Sequence, residues 1–252
     1  MRESKGTQFR MNSPQGKSIL ALVRGGDYAH PGEEAAIAEV AKTLPQTAIR
    51  RLLDVGCGRG GTAEWFYRHG WGTVVGVDID DESLEYARAR YPNVEFVHLD
   101  VVDLGRLDRD PFDLAYLFNS FYAFPDQARA LYAIRAVCRA GAQLLIYDYT
   151  QPGAAMAQRE PLGLEIGRPI VVEQTRAWMT QSGWNLVSTE DWTGRYVASY
   201  SHLLQQFESK RSEIIAMAGD DWYQHVTCWY GRLHHALAAG ALGGAVLRAV
   251  AI

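Results

Sequence analysis

Residues 52–61 read LLDVGCGRGG, and no other stretch constrains the fold as strongly. An apolar run of β-formers stops at an acid, and glycines follow at positions 56, 58, 60 and 61. Glycine is required where the backbone turns with positive φ or where a ligand must come close to main-chain N–H groups. The next segment, 62–69, reads as a helix and runs into Gly70, a residue type that closes helices in the left-handed conformation. Strand, glycine turn and helix form the opening unit of a nucleotide-binding α/β fold. The spacing Gly56-x-Gly58-x-x-Gly61 also satisfies the dinucleotide fingerprint, so the glycines alone leave the ligand open. Asp54 separates the readings. A carboxylate at the strand end would repel a pyrophosphate and attract a cationic group such as an amino-acid ammonium. The plainer alternative is that Asp54 only caps nearby backbone N–H groups.

The pattern then repeats. Strands are expected over 51–55, 73–77, 94–99, 112–118, 143–147, 184–192 and 244–250, the last two pairing as an antiparallel edge. Helices are expected over 18–23, 33–44, 81–90, 125–139 (ended by Gly141), 171–182, 195–218 and 220–239. Residues 1–17 show no periodicity and read as a disordered or mobile arm, and 150–170, with Pro152, Pro161 and Pro169, as an irregular insertion. Strands alternating with helices imply right-handed βαβ units and a parallel sheet, whose ligands sit beyond the carboxyl ends of the strands. Asp54, Asp78, Asp100, Asn119 and Asp148 all fall at such ends and can converge on one crevice.

The bulk properties exclude several classes. With 252 residues, 48% of them hydrophobic, the chain can bury a large core. A net charge of −4 offers no basic field for a nucleic-acid backbone. Cys57, Cys138 and Cys228 form neither a disulfide framework nor a C-x-x-C site, which suits a reducing cytoplasm. There is no signal-peptide pattern at the start, and no run of apolar residues is long enough for a membrane span, so no membrane partner is expected.

Together these residues resemble the class I S-adenosylmethionine-dependent methyltransferases, well over about 51–148 and more loosely in the C-terminal third. The resemblance implies an α/β fold, a Rossmann-like doubly wound sheet of seven mostly parallel strands with helical N-terminal and C-terminal lid additions. Residues 1–45 would form an arm and lid helices. Residues 46–252 would form the donor-binding domain, with insertions at about 150–170 and 195–240. The implied cofactor is S-adenosyl-L-methionine, met by Tyr28, Asp54, Gly56, Cys57, Gly58, Gly60, Asp78, Ile79, Asp100, Val101, Phe118 and Asn119. In the family pattern Asp78 holds the ribose, Asp100 meets the adenine amino group, and Phe118 and Asn119 lie beside the reactive methyl. The segment 239–245 and the loop 28–32 (YAHPG) are similar to small-molecule enzymes related to sarcosine, phosphoethanolamine and terpenoid methyltransferases. A small-molecule acceptor and no nucleic acid are therefore expected; the oligomeric state is open, a homo-oligomer included. Many relatives carry a histidine after the fourth strand, where this chain has Tyr122.

A sulfonium donor is already activated, so the protein must chiefly align an acceptor lone pair and exclude water. Candidate catalytic groups are Tyr122, as base or as packed aromatic, Asp148, as ammonium partner, base or cap, and His30, in a loop that can close over the donor. Of the C-terminal aromatics, Trp192, Tyr196 and Tyr200 are the candidates to line the acceptor pocket. His98 reads as structural. His234 and His235 are adjacent on a helix and diverge by about a hundred degrees, so no metal site is expected. Two further readings keep the loop but change the chemistry: a methyltransferase-fold cyclase or donor-binding protein without net transfer, and a nicotinamide oxidoreductase.

Overall fold

The computed structural model describes residues 9–151 and 166–252. Its centre is a seven-stranded sheet. The strands are β1 (Arg51–Val55), β2 (Thr73–Asp78), β3 (Glu95–His98), β4 (Phe112–Phe118), β5 (Cys138–Thr150), β6 (Trp184–Asp191) and β7 (Gly243–Ala251). They lie in the order β3-β2-β1-β4-β5-β7-β6, parallel except for β7, which runs antiparallel to both β5 and β6. This is the doubly wound, mostly parallel Rossmann-like sheet expected from the sequence. Strand order reverses between β1 and β4, and the crevice beyond their carboxyl ends is where such sheets bind ligands.

The helices are α1 (Pro14–Arg24), α2 (Glu33–Ala41), α3 (Gly61–Arg68), α4 (Asp81–Arg90), α5 (Gln127–Ala136), α6 (Val172–Gln181), α7 (Thr193–Ser209), α8 (Arg211–Ala218) and α9 (Asp220–Ala238). Alternate residues of the central strands feed two cores. Along β4, Leu114, Tyr116 and Phe118 join the core under α1, α2, α3, α7 and α9, while Phe112, Ala115 and Leu117 join that under α5 and α6. Both faces are covered, which is why β4 is buried throughout and reads as a continuous apolar run rather than an alternation. No helix among the described residues is long and apolar enough to cross a membrane.

Three boundaries differ most from expectation. First, α1 begins at Pro14, inside the stretch read as an arm, because Ser13 caps it by accepting from the Gly16 N–H at 3.3 Å. Second, α5 starts at Gln127, capped by Asp126, and ends at Ala136 rather than continuing to 139. Residues from Cys138 onward are drawn into β5 by pairing with Phe112, and Arg139 forms an ion pair with Asp113 at 2.5 Å. Gly141 therefore lies within the strand segment and ends no helix. Third, the helix expected over 195–218 breaks at Lys210, whose ammonium donates to the Leu22 carbonyl at 2.8 Å and so ties the break to α1. Of the expected insertion at 150–170, only the ends fall within the described residues; Pro152 and Pro161 lie outside them. Its returning end crosses the turn after β4, where the Arg168 N–H donates to the Tyr122 carbonyl at 2.6 Å.

Trp184 anchors the β6 edge. Its side chain is fully buried, and its indole N–H donates to the Leu131 carbonyl of α5 at 3.2 Å. Trp184→Ala should lower the unfolding free energy by about 3–5 kcal/mol, read from the midpoint of urea denaturation with an unchanged slope. A loss below about 1 kcal/mol would mean that the edge is not held by this side chain.

Candidate active site

The turn after β1 is held by β2. The Gly56 and Cys57 N–H groups both donate to the Val77 carbonyl, at 2.8 and 3.1 Å. The Gly58 N–H donates to Asp78 Oδ2 at 2.8 Å, and the Asp80 N–H to Asp78 Oδ1 at 2.9 Å. Two of the glycines are there for different reasons. At Gly56 (φ +77°) an added Cβ would lie 2.5 Å from Ser120 Cβ, so this glycine lets β1 and β4 close together. At Gly58 (φ +52°) an added Cβ would meet nothing within 4 Å; the space above its backbone is open to a ligand. The Cys57 side chain packs in the core against Gly76, and burial pushes its thiol well up, so it does not present a ligand to the crevice.

Asp54 is 2% exposed, and its Oδ2 has no hydrogen-bond partner. Burial pushes its carboxyl well above the usual range, and the nearby Asp78 charge adds to this. The Tyr116 hydroxyl, from the residue paired with Asp54 across the sheet, opposes the shift without reaching hydrogen-bond geometry. An orphaned buried carboxylate oxygen beside open backbone is a fitting place for a ligand cation. Around the edge of the crevice, Ile79 is 68% exposed, Val101 is buried, and Asp100 caps the turn that follows β3 by accepting from the Val102 N–H at 3.1 Å. Helix α1 is latched along this side. Lys17 pairs with Asp80 and donates to Ser83 Oγ at 2.7 Å, while Arg59 donates to the Pro14 carbonyl and Ser18 Oγ.

After β4, Phe118 is buried, and Asn119 takes φ +52°, an uncommon conformation for a residue with a side chain. Asn119 Oδ1 accepts from the Tyr196 hydroxyl at 2.9 Å, and its buried Nδ2 is unpartnered. The adjacent carboxyl ends of β1 and β4 thus carry one orphan acceptor and one orphan donor.

The expected catalytic trio is placed differently. Asp148 is completely buried and accepts from the Tyr149 and Tyr122 N–H groups at 2.7 and 3.1 Å. Burial raises its carboxyl to about 7, while main-chain donors from Tyr149, Tyr122, Phe121 and Ser120 work the other way. It fixes the turn after β4. The phenol of Tyr122 is raised by burial and by Asp148, so it keeps its proton. His30 is 1% exposed, with Nδ1 3.3 Å from the Pro31 carbonyl and Nε2 3.1 Å from Thr62 Oγ1. The carbonyl can only accept, which assigns the proton to Nδ1 and leaves Nε2 to accept from Thr62. Its ring lies 4.9 Å from Phe118 and 5.7 Å from Tyr28, whose hydroxyl donates to Glu34. Burial, helped by Arg24, lowers its pKa to about 3.

The three acceptor-pocket candidates, Trp192, Tyr196 and Tyr200, are all buried at 6% exposure or less and form a layer of rings with Tyr147 and Tyr149 beneath α7. No group of three or more metal-ligating side chains occurs among the described residues. Sequence reading did not single out Tyr116 as a neighbour of Asp54, although the two-residue period of β4 puts it on the same face. Nothing local in the sequence marked Thr62 or Lys17, whose partners are 32 and 63 residues away.

Comparison with known proteins gives the geometry a context. Residues 53–146 match the family model described as "Methyltransferase domain". The chain is 33% identical over 119 residues to a trans-aconitate 2-methyltransferase of Rhizobium rhizogenes, covering 46% of each chain. It is 26% identical over 215 residues to 27-O-demethylrifamycin SV methyltransferase of Amycolatopsis mediterranei, covering 75% of this chain and 78% of that one. The aligned part thus spans about half the length of the first relative. Among solved structures, the [4+2]-cyclase SpnF superposes with a TM-score of 0.72 at 22% identity, over 93% of this chain and 92% of that one.

His30 gives the site a pH signature. Its folded pKa lies below its unfolded value of about 6.5, so its contribution to stability is complete above pH 6.5 and is lost as pH falls toward 3. Over that window the loss approaches about 1.4 kcal/mol per pH unit. Denaturant unfolding of the wild type and His30→Gln from pH 7 to 4 should show the stability difference between them shrinking with acidification. A difference independent of pH would contradict a buried neutral imidazole.

Proposed function

Taking as premise that the chain carries a class I S-adenosylmethionine-dependent methyltransferase domain, we propose that it methylates a small-molecule acceptor that brings its own nucleophilic lone pair to the crevice. The observation that carries this reading is the unpartnered, buried Asp54 Oδ2 beside the open backbone of Gly58. When bound, S-adenosylmethionine supplies an electrophilic methyl carbon on a sulfonium. Asp54 receives the ammonium of its amino-acid end, with the Gly56–Gly60 turn close alongside. Asp78, whose oxygens each hold one backbone N–H, has lone pairs left for the ribose hydroxyls. Asp100 serves the adenine amino group, and Ile79 and Val101 cover the adenine faces. Phe118 and Asn119 border the transferred methyl, with Asn119 Nδ2 free to orient the acceptor.

The lid-like parts, α1 with the loop after it and the helices α7 to α9, close the crevice and exclude water; this orientation and desolvation supply the rate. Proton removal is not assigned to the chain. Tyr122 holds its proton, Asp148 is engaged by main-chain N–H groups, and His30 is tied at both nitrogens. An acceptor already ionised, such as a carboxylate or an acidic hydroxyl, or a free amine, suits such a site. The three free cysteines fit a reducing cytoplasm.

A second reading, a cyclase that binds the donor without transferring its methyl, is favoured by the likeness to SpnF. Formation of S-adenosylhomocysteine with any acceptor separates the two.

Calorimetric titration should give micromolar binding of S-adenosylmethionine and none of NAD. Asp54→Asn should weaken the donor by about tenfold or more, through loss of a charge-assisted hydrogen bond. The same substitution removes a buried carboxyl with a raised pKa, so the free protein should melt at an equal or higher temperature at pH 7. Unchanged donor affinity in Asp54→Asn would remove the ammonium assignment.

A further inference from the structure

Two polar atoms stand unpaired side by side beneath the donor turn. Asp54 Oδ2 and the Tyr116 hydroxyl are both buried, and neither has a hydrogen-bond partner. The two residues face each other across β1 and β4, and alternation along each strand puts both on the side of the sheet that carries Leu52 and Leu114. Each acts on the other's proton. After burial, the Asp54 charge is the next cause that pushes the phenol up, and the hydroxyl works against the rise at Asp54.

The phenol is held in place by its ring. Tyr116 is completely buried, with its ring centroid 4.5 Å from that of Phe66 and 6.0 Å from that of Phe118. Phenylalanine would fill this space equally well, and a buried hydroxyl with no partner costs stability. Such a group in a native structure calls for an explanation. Asp54 supplies one. Among the described residues that act on it, Asp78 is an acceptor whose charge opposes ionisation, and Cys57 carries only a weak thiol donor. Tyr116 is the strong donor that the sheet brings beside this carboxyl. A ligand cation makes Asp54 a full carboxylate, and O–H···O⁻ bonds are shorter and stronger than neutral ones. The bond that is unmade in the free protein is therefore one that a bound cation draws together.

We propose that Tyr116 is a positioning residue of the donor site: when a ligand ammonium holds Asp54 as a carboxylate, the Tyr116 hydroxyl donates to that carboxylate and fixes its orientation toward the cation. The inference rests on the reading of Asp54 as the ammonium partner and adds the group that completes its hydrogen bonding.

The test is calorimetric titration of wild type, Tyr116→Phe, Asp54→Asn and the double variant with S-adenosylhomocysteine and, separately, with methylthioadenosine. Both are neutral thioethers, and the second lacks the amino-acid end. Tyr116→Phe removes one unpartnered oxygen, so the variant should fold with its ring packing intact. It should bind S-adenosylhomocysteine about tenfold more weakly and methylthioadenosine within about twofold of wild type. In the Asp54→Asn background the same change should cost less than about threefold, because the carboxylate that it serves is gone. The hydroxyl favours the ionised form of Asp54, so its loss should also move the acid-side fall in S-adenosylhomocysteine affinity to higher pH; Asp78 and Cys57 are the same in both proteins. Unchanged S-adenosylhomocysteine affinity in Tyr116→Phe, or equal weakening of both ligands, would overturn the proposal. If Asp54→Asn weakens S-adenosylhomocysteine and Tyr116→Phe does not, this inference alone fails. If neither does, the ammonium reading of Asp54 fails with it.

Discussion

The Asp78 carboxylate, by accepting one N–H from the glycine turn and another from the start of α4, sets where everything else in the crevice can be. It joins the ends of two neighbouring strands through a charged acceptor, the strong kind of hydrogen bond. The turn after β1 thereby keeps Gly58 open, and Asp80 is placed where Lys17 of α1 can reach it. Asp148 does the same work three strands along, gathering the backbone of the turn after β4. Both acids lie at carboxyl ends of strands, but one is reachable from the crevice and the other is sealed. That difference in access leaves one available to a ligand and makes the other an internal fastener.

This difference also marks where sequence reading runs out. The glycine turn, the acids at 54, 78 and 100 and the bounds of β4 and α4 were legible because their causes are local: a stop in an apolar run, a cap, a proline, a twenty-residue offset. The resemblance carried the seven-stranded, mostly parallel architecture further than periodicity could. What was not legible depends on partners distant in the chain. Asp148 shows the same strand-end position as Asp78, and only the folded turn shows that main-chain donors claim it. Trp192, Tyr196 and Tyr200 read as pocket walls, yet they form a packed layer under α7, because long side chains on one helix face usually find a core. The break at Lys210 has no glycine or proline to announce it; a hydrogen bond to Leu22 made 188 residues away holds it.

The chemistry that survives these placements is spare. Tyrosines crowd the layer beneath α7, and burial holds Tyr147, Tyr149, Tyr196 and Tyr200 above the ordinary phenol range, so they keep their protons. His30, neutral and tied at both nitrogens, acts as a spacer among aromatic rings. Such a site suits a reaction whose electrophile arrives activated, since the protein contributes alignment and dryness.

The antiparallel β7 has a consequence for the order in which the chain can acquire its structure. Among the described residues β6 pairs only with β7, and β7 fills the gap between β5 and β6. As a ribosome releases the chain, β6 emerges before its partner, and β5 presents an open edge, until the residues of β7 appear about fifty positions after β6. The sheet therefore cannot be completed progressively from one side. It closes in a single late insertion that satisfies two edges at once, after α7, α8 and α9 have already been made.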